Sequence, residues 1–371
     1  MEHLLPWLRL QLTPGLGRVG LMRLIKRFKT PEQAIDNAGH WHLAGLRNDL
    51  ARAIPASTDS KVQKACERLE EMRGRLLTLW DADYPQRLTQ ISDPPALLYC
   101  CGDFPAAPAL AIVGTRRPTD IGRIITRKLA GEIAAAGIVI VSGMARGIDS
   151  AAHLGAINAT GKTVAVLGCG IDRIYPPENA GLYRQIIDNG ALLSEYPPGS
   201  DPLPGHFPGR NRIISALSLG TLVVEACRDS GSLITAEFAL EQGREVMAVP
   251  GGVDRTTSYG PNLLIKQGAH PVTEAEEIIQ LLGLSGCHTN RKAPHETDVI
   301  DLPEPAARVL TALSLTPRHS DELSLESGLT ARELSVILLH LELQGYAEKL
   351  PGGRYVRARG RFNPNQPRET S

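Results

Sequence analysis

LAIVGTRRPTDIG (110–122) and VIVSGMARGIDS (139–150) decide how this chain is read. Each opens on a short apolar run and turns through a glycine, Gly114 or Gly143, into a helix-length segment. A run that is apolar at nearly every position, rather than at alternate ones, fits a strand covered on both faces. The same unit recurs: runs at 163–167, 191–194, 221–224 and 245–248 share that character and are separated by helix-length stretches. Six parallel strands with helices between them are therefore expected, forming a doubly wound, extended Rossmann-like α/β sheet. Such sheets bind ligands beyond the carboxyl ends of their strands, so the residues following each run carry the functional information.

Five such segments stand out. After the first strand, Gly114 admits close approach of a phosphate to the backbone, Thr115 offers a hydroxyl, and Arg116 and Arg117 add charge beside a helix start. After the second come Ser142, Gly143, Arg146 and Gly147, with Asp149 expected as a helix N-cap. The third ends in Gly168-Cys169-Gly170. The stretch 206–212 is expected to be a loop, the densest cationic motif of the domain, with Phe207 as a stacking ring beside Arg210, Asn211 and Arg212. Ser230-Gly231-Ser232 leads into a helix at 233–242. All five lie on one edge of the expected sheet, where they would form an amide- and arginine-lined groove. The competing reading pairs Arg210 and Arg212 internally with Glu195 or Glu225 and packs Phe207 in the core. The segment after the first strand is not a G-x-G-x-x-G, and Gly161-Lys162-Thr163 precedes a strand rather than a helix, so neither dinucleotide-binding nor P-loop chemistry is indicated there.

Across its 371 residues the chain balances 40 Lys and Arg against 40 Asp and Glu, which rules out a uniformly basic nucleic-acid binder. With only 5 Phe, 8 Tyr and 3 Trp, any site that stacks bases must do so with few rings. No uncharged stretch reaches the roughly 18 residues of a membrane span, and the N-terminus lacks the basic-then-apolar order of a signal peptide, so a cytoplasmic protein is expected. The six cysteines include no C-x-x-C pair and are expected as free thiols; His40 and His42 have no partners at metal-ligand spacing, so neither metal nor cofactor is expected.

Residues 1–75 are expected to form a helical domain. Its TPGLG (13–17) joins two apolar-periodic segments as a tight hairpin, similar to the helix-hairpin-helix or SAM-like domains of DNA-binding proteins. Arg18, Arg23, Lys26, Arg27 and Lys29 follow with no acid between 18 and 29. The sheet domain spans 76–285, a polar linker 286–305, and a winged-helix-like domain of three helices and a β-hairpin 306–361, with a disordered tail at 362–371. The helix at 330–344 is poorly charged for groove recognition, whereas Lys349, Arg354, Arg357, Arg359 and Arg361 make the hairpin basic.

The blocks IVGTRRPTDIG, IVSGMARGIDSAAH, TVAVLGCGIDRIYPPEN, LLSEYPPG, FPGRNRIISALS, LVVEACRDSGSLITAEFALEQGREVMAVPG and GPNLLIKQGA occur in the order of the signature blocks of the DNA-processing protein A family, DprA or Smf. The resemblance covers about residues 84–272. It implies single-stranded DNA binding without catalysis, dimerisation, protection of incoming DNA, and loading of RecA recombinase onto it during natural transformation. It assigns DNA contact to Arg116 in the G-[ST]-R block and to Phe207, Arg210, Asn211 and Arg212 in the F-P-x-R-N-R block. Gly209 stands where the family often has Lys or Arg. With Gly114, Thr115, Ser142, Gly143, Arg146, Gly147, Gly168 and Ser232 these make up the expected DNA site, and dimer contacts are expected around 213–224. The alternative is a nucleotide phosphoribohydrolase on the same fold, for which Glu237 would be the catalytic acid; the loop at 231–237 lacks that family's first glycines.

Overall fold

The structure, a computed structural model, describes residues 3–284, 303–314, 316–343 and 346–357. The expected linker falls mostly, and the expected tail wholly, outside the described residues, as do Cys287, Arg359 and Arg361. The chain divides into two compact units, the larger of which contains the sheet together with all the N-terminal helices.

The larger unit begins with α1 (Leu4–Gln11), α2 (Arg18–Phe28), α3 (Pro31–Asp36) and α4 (Ser60–Glu71). Then follow β1 (Arg75–Thr78), β2 (Leu97–Gly102), β3 (Ala109–Val113), α5 (Asp120–Ala135), β4 (Val139–Ser142), α6 (Ile148–Asn158), β5 (Thr163–Leu167), α7 (Ala180–Asn189) and β6 (Gly190–Ser194). It closes with α8 (His206–Leu217), β7 (Gly220–Val223), α9 (Gly231–Glu241), β8 (Glu245–Ala248), α10 (Tyr259–Lys266), β9 (His270–Pro271) and α11 (Ala275–Leu281).

The strands form one sheet in the order β1-β2-β6-β5-β4-β3-β7-β8-β9. All six expected strands are present within a residue of their expected bounds, and their mutual pairings are parallel. Three more extend the sheet. β2 runs antiparallel to β6 and β1 antiparallel to β2, while the two-residue β9 adds to the opposite edge. In β2, Leu97, Tyr99 and Cys101 face the core shared with the N-terminal helices, while Leu98 and Cys100 pack on the other side. Leu8, Leu10, Leu24 and Trp41 are fully buried in that same core. At about 1.5–3 kcal/mol for each large apolar side chain removed from water, the N-terminal helices are fastened to the sheet by apolar burial.

Three local expectations are corrected. Residues 206–212 form the first turns of α8 rather than a loop: Pro208 is tolerated there because amides of a first helical turn need no intrahelical acceptor. Residues 213–218 and 220–224 are buried within the chain's own core, so they cannot provide a dimer face. Asp149 is not the N-cap of α6; Gly147, at φ 81°, holds that position.

The smaller unit comprises α12 (Glu304–Ala312), β10 (Arg318–His319), α13 (Ser320–Ser327), α14 (Ala331–Leu343), β11 (Ala347–Leu350) and β12 (Arg354–Arg357). Its sheet has the order β10-β12-β11, and Val309, Leu323, Leu334, Leu338 and Leu341 fill its core. Three helices and a hairpin make this a winged helix. Ahead of α14, the Thr330 hydroxyl accepts from the Glu333 amide while the Glu333 carboxylate accepts from the Thr330 amide at 2.9 Å, a reciprocal cap.

No described helix is long and apolar enough to cross a membrane. The five described cysteines form no disulfide.

Candidate nucleic-acid interface

The sheet reverses its winding between β3 and β7. From β3 the chain proceeds through β4, β5 and β6 on one side, and from β7 through β8 and β9 on the other. Crossovers on opposite faces leave a crevice at the carboxyl ends of these two strands. A cleft of about 740 Å³ occupies this position, lined by 114–117 after β3, by Cys227 and 229–232 after β7, and by Phe207, Arg210 and Asn211 of α8.

Backbone bonds set its shape. Thr115 N–H donates to the Glu225 carbonyl at 2.6 Å, stitching the two loops together. Gly114 is obligatory at that seam, because a Cβ there would lie 2.6 Å from the Ile148 side chain and 2.8 Å from the Glu225 oxygen. Opposite, Ser230 caps α9 by accepting from Ser232 N–H, its hydroxyl lies 2.7 Å from that of Ser232, and Asn211 Nδ2 donates to the Gly231 carbonyl at 3.2 Å. The result is a rim of exposed Arg116 and Arg117 facing hydroxyls and the start of a helix.

A narrower pocket adjoins the cleft at the ends of β4 and β5, bounded by Arg116, Gly143, Arg146, Gly168, Tyr175 and Phe207. Phe207 is half-buried and stands between the two cavities, with the Arg116 guanidinium carbon 5.7 Å and that of Arg210 5.9 Å from its ring centre. Both glycines keep the space open: a Cβ on Gly143 would meet Arg210 Nη1 at 1.6 Å, and one on Gly168 would meet the Phe207 ring at 2.9 Å. The turn after β4 carries a local cost at Met144, a side-chain-bearing residue at φ 54°, while Gly147 takes φ 81° as glycine readily does. Asp149 fastens the turn by accepting from the amides of Gly143 at 3.2 Å and Ala145 at 3.3 Å.

Beneath lies a buried charged floor. Arg210 is 5% exposed, and its Nη1 donates to the Val166 carbonyl at 2.7 Å. Its Nε finds no acceptor among the described residues, although the side chain lines both cavities. Burial lowers the Arg210 pKa, opposed by the charge of Asp149; burial likewise raises the Asp149 carboxyl, opposed by Arg210 and by the loop amides. His153, behind them, is pushed down to about 3 by burial and then by the charge of Arg210.

The structure thus separates the expected site residues into groups. Gly114, Thr115, Arg116, Phe207, Arg210, Asn211 and Ser232 line the cleft; Gly143, Arg146 and Gly168 join Arg116, Phe207 and Arg210 around the pocket; and Gly147 shapes the turn. Arg146 is exposed and reaches Glu178. Ser142 and Arg212 lie elsewhere. The Ser142 hydroxyl is buried and donates to the Ile112 carbonyl at 2.7 Å, and Arg212, 4% exposed, is consumed by Glu195 at 2.7 Å, Asp93 at 3.2 Å and the Gly209 carbonyl. For Arg212 the internal pairing with Glu195 is the one observed. Glu237 sits exposed on α9 and is not among the residues lining the cleft.

Sequence reasoning overlooked Tyr175, whose ring lies 5.8 Å from Phe207, and the stack of His206 on Tyr196 at 3.9 Å. The available signal for Tyr175 was an aromatic residue in a proline-rich turn following a strand.

Residues 75–283 match the family model of DNA recombination-mediator protein A, and residues 293–353 that of the DprA winged helix domain. Protein Smf of Escherichia coli (strain K12) is 38% identical over 360 residues, covering 95% of both chains. DNA processing protein A from Streptococcus pneumoniae has a solved structure with a TM-score of 0.63 and 35% identity, covering 72% of this chain and 94% of that one. A solved structure concerned with the single-stranded DNA binding mode of DNA processing protein A from Helicobacter pylori has a TM-score of 0.51 and 34% identity, covering 57% and 97%.

Proposed function

The chain belongs to the DNA recombination-mediator protein A family, DprA or Smf, and on that premise we propose that it binds single-stranded DNA along the carboxyl edge of its sheet. The observation that carries this reading is the switch-point cleft, where exposed Arg116 stands beside the half-buried ring of Phe207 above the buried Arg210. Phosphates meet Arg116, Arg117 and the rim hydroxyls of Thr115 and Ser232, while Phe207 and Tyr175 offer ring faces to bases. A base laid against the Phe207 or Tyr175 ring at the mouth of the pocket must be free of its complement, which gives preference for single strands. Arg212 and Ser142 act by positioning α8 and β4. The relative from Helicobacter pylori supports the choice of ligand.

Family membership also supports the finer steps: the chain self-associates as a homodimer, shields the incoming strand in the cytoplasm and loads RecA onto it. Binding and handover need no catalytic group of this chain.

Arg116→Ala tests the site. The side chain is exposed, so the fold is kept. Affinity for a single-stranded oligomer should fall about tenfold, and the slope of log K against log salt should shrink by about 0.7, the loss of one phosphate contact. Unchanged affinity and slope would overturn the assignment.

A further inference from the structure

The α1–α2 hairpin sits on the same edge of the sheet as the cleft. Glu195 is the first residue beyond β6, and its carbonyl accepts from Gln11 Nε2 at 2.7 Å. Arg18, opening α2, pairs with Asp93, whose carboxylate also takes Arg212 of α8 at 3.2 Å. Between the cleft at β7 and this hairpin at β6 lie β3, β4 and β5. At about 4.8 Å per strand, the distance across their carboxyl ends is roughly 20 Å, and α2 is itself about 16 Å long.

The helix is divided lengthwise. Leu21, Leu24 and Ile25 are buried, with Phe28 packed beside them in the core. At about 100° per residue, Arg23, Lys26 and Arg27 fall on the opposite half, Arg18 lies at the border of the apolar face above Ile25, and Lys29 follows as the cap. All five are exposed, and among the described residues Arg23, Lys26, Arg27 and Lys29 make no ion pair. Two arginines and two lysines held on a rigid helix with no acidic partners are a phosphate surface by charge and spacing. At its far end an open groove of about 410 Å³ adds Gln33, Asn37 and His40 as polar contacts beside the apolar Phe28 and Leu43, so that it offers a phosphate and a base what each needs.

We propose that the exposed half of α2, with this groove, is a second stretch of single-stranded DNA interface that carries the strand onward from the cleft past the end of β6. The ligand is the sugar-phosphate chain of the same strand, bound without regard to sequence. This proposal rests on the cleft reading above, and its test separates the two.

The test compares thymidine oligomers of about 6 and about 24 nucleotides on the full chain. The variant R23Q/K26Q/R27Q/K29Q replaces only exposed side chains. It should bind the long oligomer about tenfold or more weakly, with a salt slope smaller by about 2 to 3, and the short one within twofold of the parent. Arg116→Ala should weaken both lengths. A quadruple variant that keeps the parent's affinity and slope for the long oligomer overturns the proposal. Equal losses on both lengths also overturn it, since the helix would then not extend the interface beyond the cleft. If the long oligomer responds to the helix variant and neither length responds to Arg116→Ala, it is the cleft reading that fails.

Discussion

At the scale of single residues, the cleft rests on a histidine that burial keeps neutral well below the ordinary imidazole range. His153 Nδ1 lies 2.7 Å from the Thr163 hydroxyl, which itself donates to the Ile140 carbonyl at 2.7 Å. With the hydroxyl proton committed, the ring must donate from Nδ1, and its Nε2 is buried without a partner among the described residues. Its folded pKa of about 3 lies below the ordinary 6.5, so the unfolded chain binds more protons between these values. The stability this neutral ring permits is complete above pH 6.5 and is lost as the pH falls toward 3, at about 1.4 kcal/mol per pH unit. Urea unfolding at pH 7 and pH 5 should therefore differ by about 2 kcal/mol from this group, and His153→Asn should flatten that difference. A variant with the parent's full acid sensitivity would contradict the burial of a neutral ring. Arg212 teaches the complementary lesson: the sequence shows a cation in a basic motif, and only the fold shows that Glu195 and Asp93 have claimed it.

At the scale of elements, the legible parts were those whose signal is local. Each of the six apolar runs became a parallel strand, because a strand buried on both faces needs no polar alternation. β1 and β2 were less legible: Arg75–Thr78 is a short edge strand, and LLYCCG follows a pair of prolines that marks a turn before it marks a strand. The start of α8 was misread for a related reason, since Pro208 and Gly209 signal a loop unless the helix begins just before them. The glycines of the site loops are plain in the sequence, but which atom each one spares is visible only in three dimensions. Gly143→Ala makes the point testable. The added methyl group occupies the place of Arg210 Nη1, so the guanidinium must give up its bond to the Val166 carbonyl and move toward the cleft. The variant should lose about 1–3 kcal/mol in urea titration and bind single-stranded oligomers more weakly; retention of both stability and affinity would contradict the position of Arg210 beneath the pocket.

At the scale of the whole molecule, the balance of 40 positive and 40 negative charges conceals a partition. Arg116 and Arg117 stand at the cleft and Arg23, Lys26, Arg27 and Lys29 on α2, while acids such as Asp149 and Glu195 are turned inward to hold Arg210 and Arg212. The scarcity of aromatic residues acts in the same direction: with Phe207 and Tyr175 the rings at the pocket, most of the affinity must come from phosphates and must weaken with salt. Local motifs could place the cations along the chain, but their gathering on one edge follows from strand order, a non-local property. The most direct measurement is the affinity of the full chain for a single-stranded oligomer and for the duplex of the same sequence across a salt series. The single strand should bind more tightly at every salt concentration, with log K falling linearly in log salt. Equal affinity for the duplex, or binding indifferent to salt, would contradict the account.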